Sequence, residues 1–185
     1  MKNALILAGG KSSRMGVDKT TLEFGGFASI THFLFFRLNA IFDEVKVAAK
    51  GEKFRPPLPV LVDDFAEFAP IFVIANLDKY YNDPVFIIAA DTPLIEAKTI
   101  YELSNSNSLV TLASDGEHLH YLCGFYHPKI APVARQMIQN GDLRLSNLAK
   151  RSEFKSIKFE NSKQFFNINT KDDYEKAKLY SSNFI

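Results

Sequence analysis

The sequence predicts an α/β fold in which a mostly parallel central sheet lies between two layers of helices. Three observations predict it. Apolar runs of strand length alternate with helix-length segments along the chain. The run Val85-Phe86-Ile87-Ile88-Ala89-Ala90 is apolar at every position and is bounded by Pro84 and by Asp91-Thr92-Pro93, the pattern of a strand covered on both faces. A glycine-bearing, cationic loop follows directly on the first apolar run, and folds of this class place ligands at the carboxyl ends of their strands.

The elements follow in order. Residues 3–8 are the first strand, and residues 21–24 read as a short edge piece closing the loop. Residues 27–42 read as a helix with Phe33, Leu34, Phe36, Leu38, Ile41 and Phe42 on a wide apolar face. Residues 44–49 alternate and form a strand. Pro56, Pro57 and Pro59 mark an irregular connection before a short strand at 60–62. Residues 70–79 fit a helix, with Pro70 in the first turn, where its missing donor costs little. The buried strand at 85–90 is followed by a helix over 95–104 and by strands at 109–113 and 120–127. Helices follow over 128–140, stopped by Asn140-Gly141, and over 143–150. A weak strand at 155–159 and a helix over 172–180 close the chain.

Bulk properties bound the function. A chain of 185 residues is most simply one domain, residues 1–185, and its 46% hydrophobic and 23% charged content is that of an ordinary globular protein. A net charge of +1 provides no global field toward nucleic acid or membrane, so any anion site is local. Cys123 is the only cysteine, which excludes an internal disulfide and fits a reducing cytoplasm; in its apolar stretch it reads as a buried thiol. The first apolar run is too short for a signal peptide, no segment has the length of a membrane helix, and there is no repeat.

The loop after the first strand reads Leu7-Ala8-Gly9-Gly10-Lys11-Ser12-Ser13-Arg14-Met15-Gly16-Val17-Asp18-Lys19. Gly9 and Gly10 let the backbone approach a base or phosphate, and Arg14 and Lys19 can meet phosphate charge. The loop is not a P-loop, because Leu5 stands where that motif needs glycine, and it lacks the spaced glycines of the dinucleotide fingerprint. Alone it also reads as a plain surface loop. Asp91 ends the buried strand at the same sheet edge; by itself it reads as a helix cap or turn residue, but with the glycine loop at that edge a hard carboxylate on a rigid element suits magnesium. Asp63 and Asp64 close the third strand and also read as a charged turn. In Asn167-Ile168-Asn169-Thr170, alternation puts Asn167 and Asn169 on one side, and Thr170 also reads as a cap. His118 and His120 have no evident third metal ligand.

The loop resembles the signature L-A-G-G-x-S-x-R-M-G-x-D-K of the molybdenum cofactor guanylyltransferases, with all fixed positions present. Asp91-Thr92-Pro93 and Asn167-Ile168-Asn169-Thr170 resemble further elements of that family. The resemblance implies a three-layer, Rossmann-like nucleotidyltransferase fold and a cytoplasmic enzyme that transfers GMP from GTP to molybdenum-molybdopterin with release of pyrophosphate. It implies Arg14, Lys19 and Asp91 as catalytic residues. Leu7, Ala8, Gly9, Gly10 and Asp64 are implied at the nucleotide, Asn167 at the pterin, and Mg²⁺ on Asp91 and Asn169. Proteins of molybdenum cofactor biosynthesis, or acceptor proteins, are implied as partners. The chain departs from the pattern at Ala48, where the family has asparagine, and at Ala69-Pro70-Ile71-Phe72-Val73, where it usually has G-P-L-A-G. Two rivals stand beside this reading. One is a cytidylyltransferase or sugar-phosphate nucleotidyltransferase of the same fold, and the other is a non-catalytic nucleotide-binding adaptor.

Overall fold

Four of the six strand pairings are parallel, and the other two follow from one tight hairpin. The computed structural model describes residues 1–9, 18–62 and 69–181. The described strands are β1 (Asn3–Leu7), β2 (Glu44–Ala49), β3 (Val60–Val62), β4 (Val85–Ala89), β5 (Val110–Ser114), β6 (Leu119–Tyr126) and β7 (Phe154–Lys158). They form one sheet in the order β3-β2-β1-β4-β6-β5-β7. The described α-helices are α1 (Ile30–Asn39), α2 (Pro70–Ile74), α3 (Leu77–Tyr80), α4 (Ala97–Ser104), α5 (Ala131–Gln139), α6 (Leu145–Lys150) and α7 (Lys171–Ser181).

Two cores, one on each face of the sheet, make the three layers. Ala4, Ile6, Val47, Phe86 and Ile88 face Leu34 and Leu38 of α1 and Ile100 and Leu103 of α4. Leu5, Leu7, Val85, Ile87 and Leu112 face Ile71, Ile74, Ala134, Met137 and Leu148 on the opposite layer. Strands β1 and β4 are therefore apolar at successive positions because both of their faces are covered.

β6 runs antiparallel between β4 and β5. Only residues 115–118 separate β5 from β6, a link too short for a parallel crossover. Gly116, at φ +94°, makes the turn, and Asp115 Oδ1 accepts from the N–H groups of Glu117 and His118. Gly124 on β6 crosses β5 closely: a Cβ there would lie 2.2 Å from the Thr111 carbonyl oxygen. Gly124→Ala should therefore cost about 2–3 kcal/mol of stability, read as a lower urea midpoint, because backbone rather than a flexible side chain must give way.

Several helices are shorter than their periodicity suggests. Gly25 and Gly26, both at positive φ, turn the chain so that Phe24 bridges to Phe27, and Ser29 then caps α1 by accepting from the His32 N–H. Phe36 does not join the apolar face; it is 64% exposed, because the inward stripe runs through Ile30, Leu34 and Leu38. The segment 70–79 is two helices, since the Asn76 side chain donates to the Phe72 carbonyl and ends α2. Gly141, at φ +71°, ends α5 as expected. The edge piece expected at 21–24 is not a strand: Thr21 ends a 3₁₀ turn over Lys19–Thr21, and Phe24 makes only an isolated bridge to Phe27.

Candidate active site

The carboxyl ends of β1 and β4 lie side by side. Leu7 pairs with Ala89, and the Ala90 N–H donates to the Leu7 carbonyl. Gly9 and Asp91, each two residues further on, therefore leave the sheet at the same edge. A Cβ on Gly9 would meet nothing within 4 Å, so open space lies beside the chain there. The Asp91 loop is braced from behind by Arg37 of α1, whose guanidinium donates to the Pro93 and Ile95 carbonyls at 2.7 and 2.6 Å.

The segment before α7 closes over this edge. Ile168 is fully buried with Phe24, Ile30, Phe33 and Leu94, and its N–H donates to the Asp91 carbonyl at 2.9 Å. Burying Ile168 turns Asn167 and Asn169 to the opposite side, as alternation requires. The Asn167 carboxamide, with its nitrogen toward Asp91, donates to Oδ1 at 2.7 Å and to Oδ2 at 3.2 Å. Asp173 and Thr170 cap α7 reciprocally: Asp173 Oδ2 accepts from the Asn169 and Thr170 N–H groups, and Thr170 Oγ1 accepts from the Asp173 N–H. The Thr170 hydroxyl, with these backbone donors, holds the Asp173 carboxyl below its ordinary range against an opposing desolvation.

Lys19 joins the two halves. Its Nζ donates to Asp91 Oδ2 at 2.7 Å, to the Ile168 carbonyl at 2.7 Å and to Asn169 Oδ1 at 3.0 Å. Carboxylate, carbonyl and amide oxygens gathered around one positive charge are also the donors that a hard divalent cation takes. The donor chemistry of Asp91 and Asn169 thus fits a magnesium-type ion. Lys19, Asp91, Asn167 and Asn169 are brought together; Gly10, Arg14 and Asp64 lie outside the described residues. Leu7 and Ala8 sit at the sheet edge, where the Ala8 N–H is taken up by the Ala48 carbonyl at 2.9 Å. Ala48 lies within β2, so position 48 faces this edge with backbone. In the other divergent stretch, Ile71 packs into the core.

Sequence reasoning missed Lys53. Its Nζ donates to the Ala8 carbonyl, Asp18 Oδ2 and Thr20 Oγ1 at 2.7, 2.6 and 2.9 Å. Only its position near three prolines marked it in the sequence, and that pointed to a loop. Burial raises the Asp18 pKa, but hydrogen bonds from Lys53 and Thr20 outweigh it, so the carboxyl titrates below its usual range.

Beside Asp91 opens a pocket of about 470 Å³, lined among others by Thr92, His120, Tyr121, Arg144 and Asn167. His120 lies flat on Phe165, ring centroids 4.1 Å apart, with Nε2 3.0 Å from Asp115 Oδ2. The His118-His120 pair is thus engaged with Asp115, and the described residues hold no group of three or more His, Cys, Asp or Glu able to bind a metal. Cys123 is buried, and burial drives its thiol pKa far up, so it is no nucleophile.

Burial also lowers the His120 pKa, and the hydrogen bond to Asp115 only partly opposes this. An unfolded histidine titrates near pH 6.5, so the unfolded chain binds the extra proton first. The contribution of neutral His120 to stability is present above about pH 6.5 and lost as pH falls through its lower folded value. The Tm should therefore fall on acidification below about pH 6.5, and His120→Gln should flatten part of that fall in a Tm–pH series. His127 shifts in the same direction and accounts for a remaining slope.

Residues 4–154 match the MobA-like NTP transferase domain family. The chain belongs to this family. It is a nucleotidyltransferase domain by descent, and its relatives extend over nearly its whole length. A molybdenum cofactor guanylyltransferase of Campylobacter jejuni subsp. doylei is 31% identical over 95% of each chain. One from Helicobacter pylori strain J99 is 31% identical over 96% of this chain and 91% of its own. Among solved structures, molybdopterin-guanine dinucleotide biosynthesis protein A from Archaeoglobus fulgidus superposes with a TM-score of 0.81, covering 99% and 100% of the two chains at 18% identity. The 2-C-methyl-D-erythritol 4-phosphate cytidylyltransferase of Thermus thermophilus superposes at 0.69 over 98% and 100%, at 14% identity. Both likenesses concern the fold, so the fold is common to enzymes using different bases. Among the described residues no helix is long and apolar enough to cross a membrane.

Proposed function

We propose that this member of the MobA-like family transfers GMP from GTP to the terminal phosphate of molybdenum-molybdopterin, giving the guanine dinucleotide form of the cofactor and pyrophosphate. The observation that carries the proposal is the meeting of Lys19, Asp91 and Asn169 at the carboxyl edge of β1 and β4, next to a pocket large enough for a second substrate. The names of the relatives and the complete loop signature support guanine as the base.

An oxygen of the acceptor's terminal phosphate bonds to the α-phosphorus of GTP. The bond from that phosphorus to the α,β-bridging oxygen breaks, and pyrophosphate leaves with the electron pair. A phosphate is already an anion near neutral pH, so no general base is needed, and catalysis rests on alignment and charge stabilisation. Asp91 and Asn169 would hold Mg²⁺, which when bound neutralises charge on the phosphate oxygens. Lys19 and Arg14 stabilise the departing pyrophosphate. The nucleotide lies along Leu7, Ala8, Gly9 and Gly10 at the end of β1, Asp64 contacts it, and Asn167 faces the pterin. The reaction would run in the cytoplasm, with the pterin handed over by biosynthetic or acceptor proteins.

The test is pyrophosphate release in the presence of the pterin acceptor, with GTP and CTP offered separately. Release from GTP with little from CTP is the expected result. Release from CTP alone would assign the chain to the cytidylyltransferase chemistry of its structural neighbours. No release from either, with GTP still bound, would make it an adaptor.

A further inference from the structure

We propose that Lys53 is a positioning residue for the nucleotide: it ties together the two ends of the glycine-bearing loop and so fixes where Lys19 starts. This rests on the reading of that loop as the GTP site. The Ala8 carbonyl, where the chain leaves β1, and Asp18 and Thr20, where it returns, are all bonded to the single Lys53 ammonium. An ammonium has three N–H donors, and all three are spent. Lys53 therefore acts through the loop ends rather than on phosphate.

The returning end is itself locked. Asp18 Oδ1 accepts from the Thr20 N–H and hydroxyl, and the Thr20 carbonyl accepts from Thr31 Oγ1 on α1. With backbone pinned on both sides of Lys19, only its side chain is left to reach the phosphates. Lys53 is aimed by its neighbour: Phe54 is buried against the ring of His32, whose Nε2 meets the Pro56 carbonyl at 2.9 Å. Lys53 also neutralises Asp18, a carboxylate that would otherwise face an incoming triphosphate beside Lys19. The Lys53 and Asp18 side chains are 29% and 38% exposed, and such pairs add little to stability. The contact's consequence is geometric, and it should appear in nucleotide binding rather than in folding.

Steady-state kinetics with both substrates varied, GTP binding without acceptor, and the Tm of the nucleotide-free protein test this on Lys53→Met. The expected result is a rise in the GTP KM and Kd of about tenfold or more, with acceptor KM and Tm nearly unchanged. Lys53→Cys alkylated with 2-bromoethylamine rebuilds an ammonium of near-lysine length, and Cys123 is buried away from the reagent. Alkylation should restore the GTP KM. A Lys53→Met enzyme with a GTP KM within twofold of the parent overturns the proposal. So does a parallel loss for both substrates with a lowered Tm, or an alkylated variant that stays impaired. If the unaltered chain binds no GTP, the functional reading itself fails; if it binds GTP and Lys53→Met binds it equally well, only the role of Lys53 fails.

Discussion

Asp91→Asn lowers turnover by about a hundredfold or more while the protein still folds. The Asp91 side chain is 22% exposed and receives donors from Lys19 and Asn167. Removing its charge leaves Lys19 with the Ile168 carbonyl and Asn169 Oδ1, so neither partner is stranded. The expected stability loss is therefore no more than about 2 kcal/mol. The change in rate is larger because a carboxylate on a strand end is what would hold a divalent ion against the phosphates. Mn²⁺ affinity in the presence of GTP, followed by electron paramagnetic resonance, should fall together with kcat. Near-normal turnover, or unchanged Mn²⁺ affinity, would remove Asp91 from the mechanism.

Lys19→Met should cost a similar factor, about a hundredfold in kcat. Lys19→Arg should not restore the rate. Three oxygens converge on the Nζ from Asp91, Ile168 and Asn169, an arrangement made for a point donor, whereas guanidinium is a planar fork. Single-turnover measurements separate this from a binding defect: the chemical step slows even at saturating GTP. A Lys19→Arg enzyme working at parental rates would show that position 19 supplies charge without geometry.

Much of this architecture was legible in the sequence because burial on both faces leaves an uninterrupted apolar run, as in β4, and because loop signatures are local. Asp91, Asn167 and Asn169 fell where alternation and strand ends put them. The failures have physical causes. Phe36 reads as inward in the sequence because aromatic residues crowd α1, and only packing chooses the stripe. The single helix expected over 70–79 breaks where a side chain, Asn76, satisfies a carbonyl more locally than the next helical turn would. Lys53 was invisible because its partners lie 33 to 45 residues away and its importance is the bridging of two distant backbone points. The direction of β6 leaves only one trace in the sequence, the shortness of the link after Ser114.

The matched family domain ends at residue 154, yet the oxygens that receive Lys19 include two from residues 168 and 169, in a stretch that the full-length relatives also cover. A polypeptide cut at that border would keep six whole strands, lose β7 after its first residue, and discard two of the three oxygens from Asp91, Ile168 and Asn169 that receive Lys19. The candidate site is thus a joint between the matched domain and the segment before α7, so a change at residue 169 reaches the Lys19 ammonium without touching a strand.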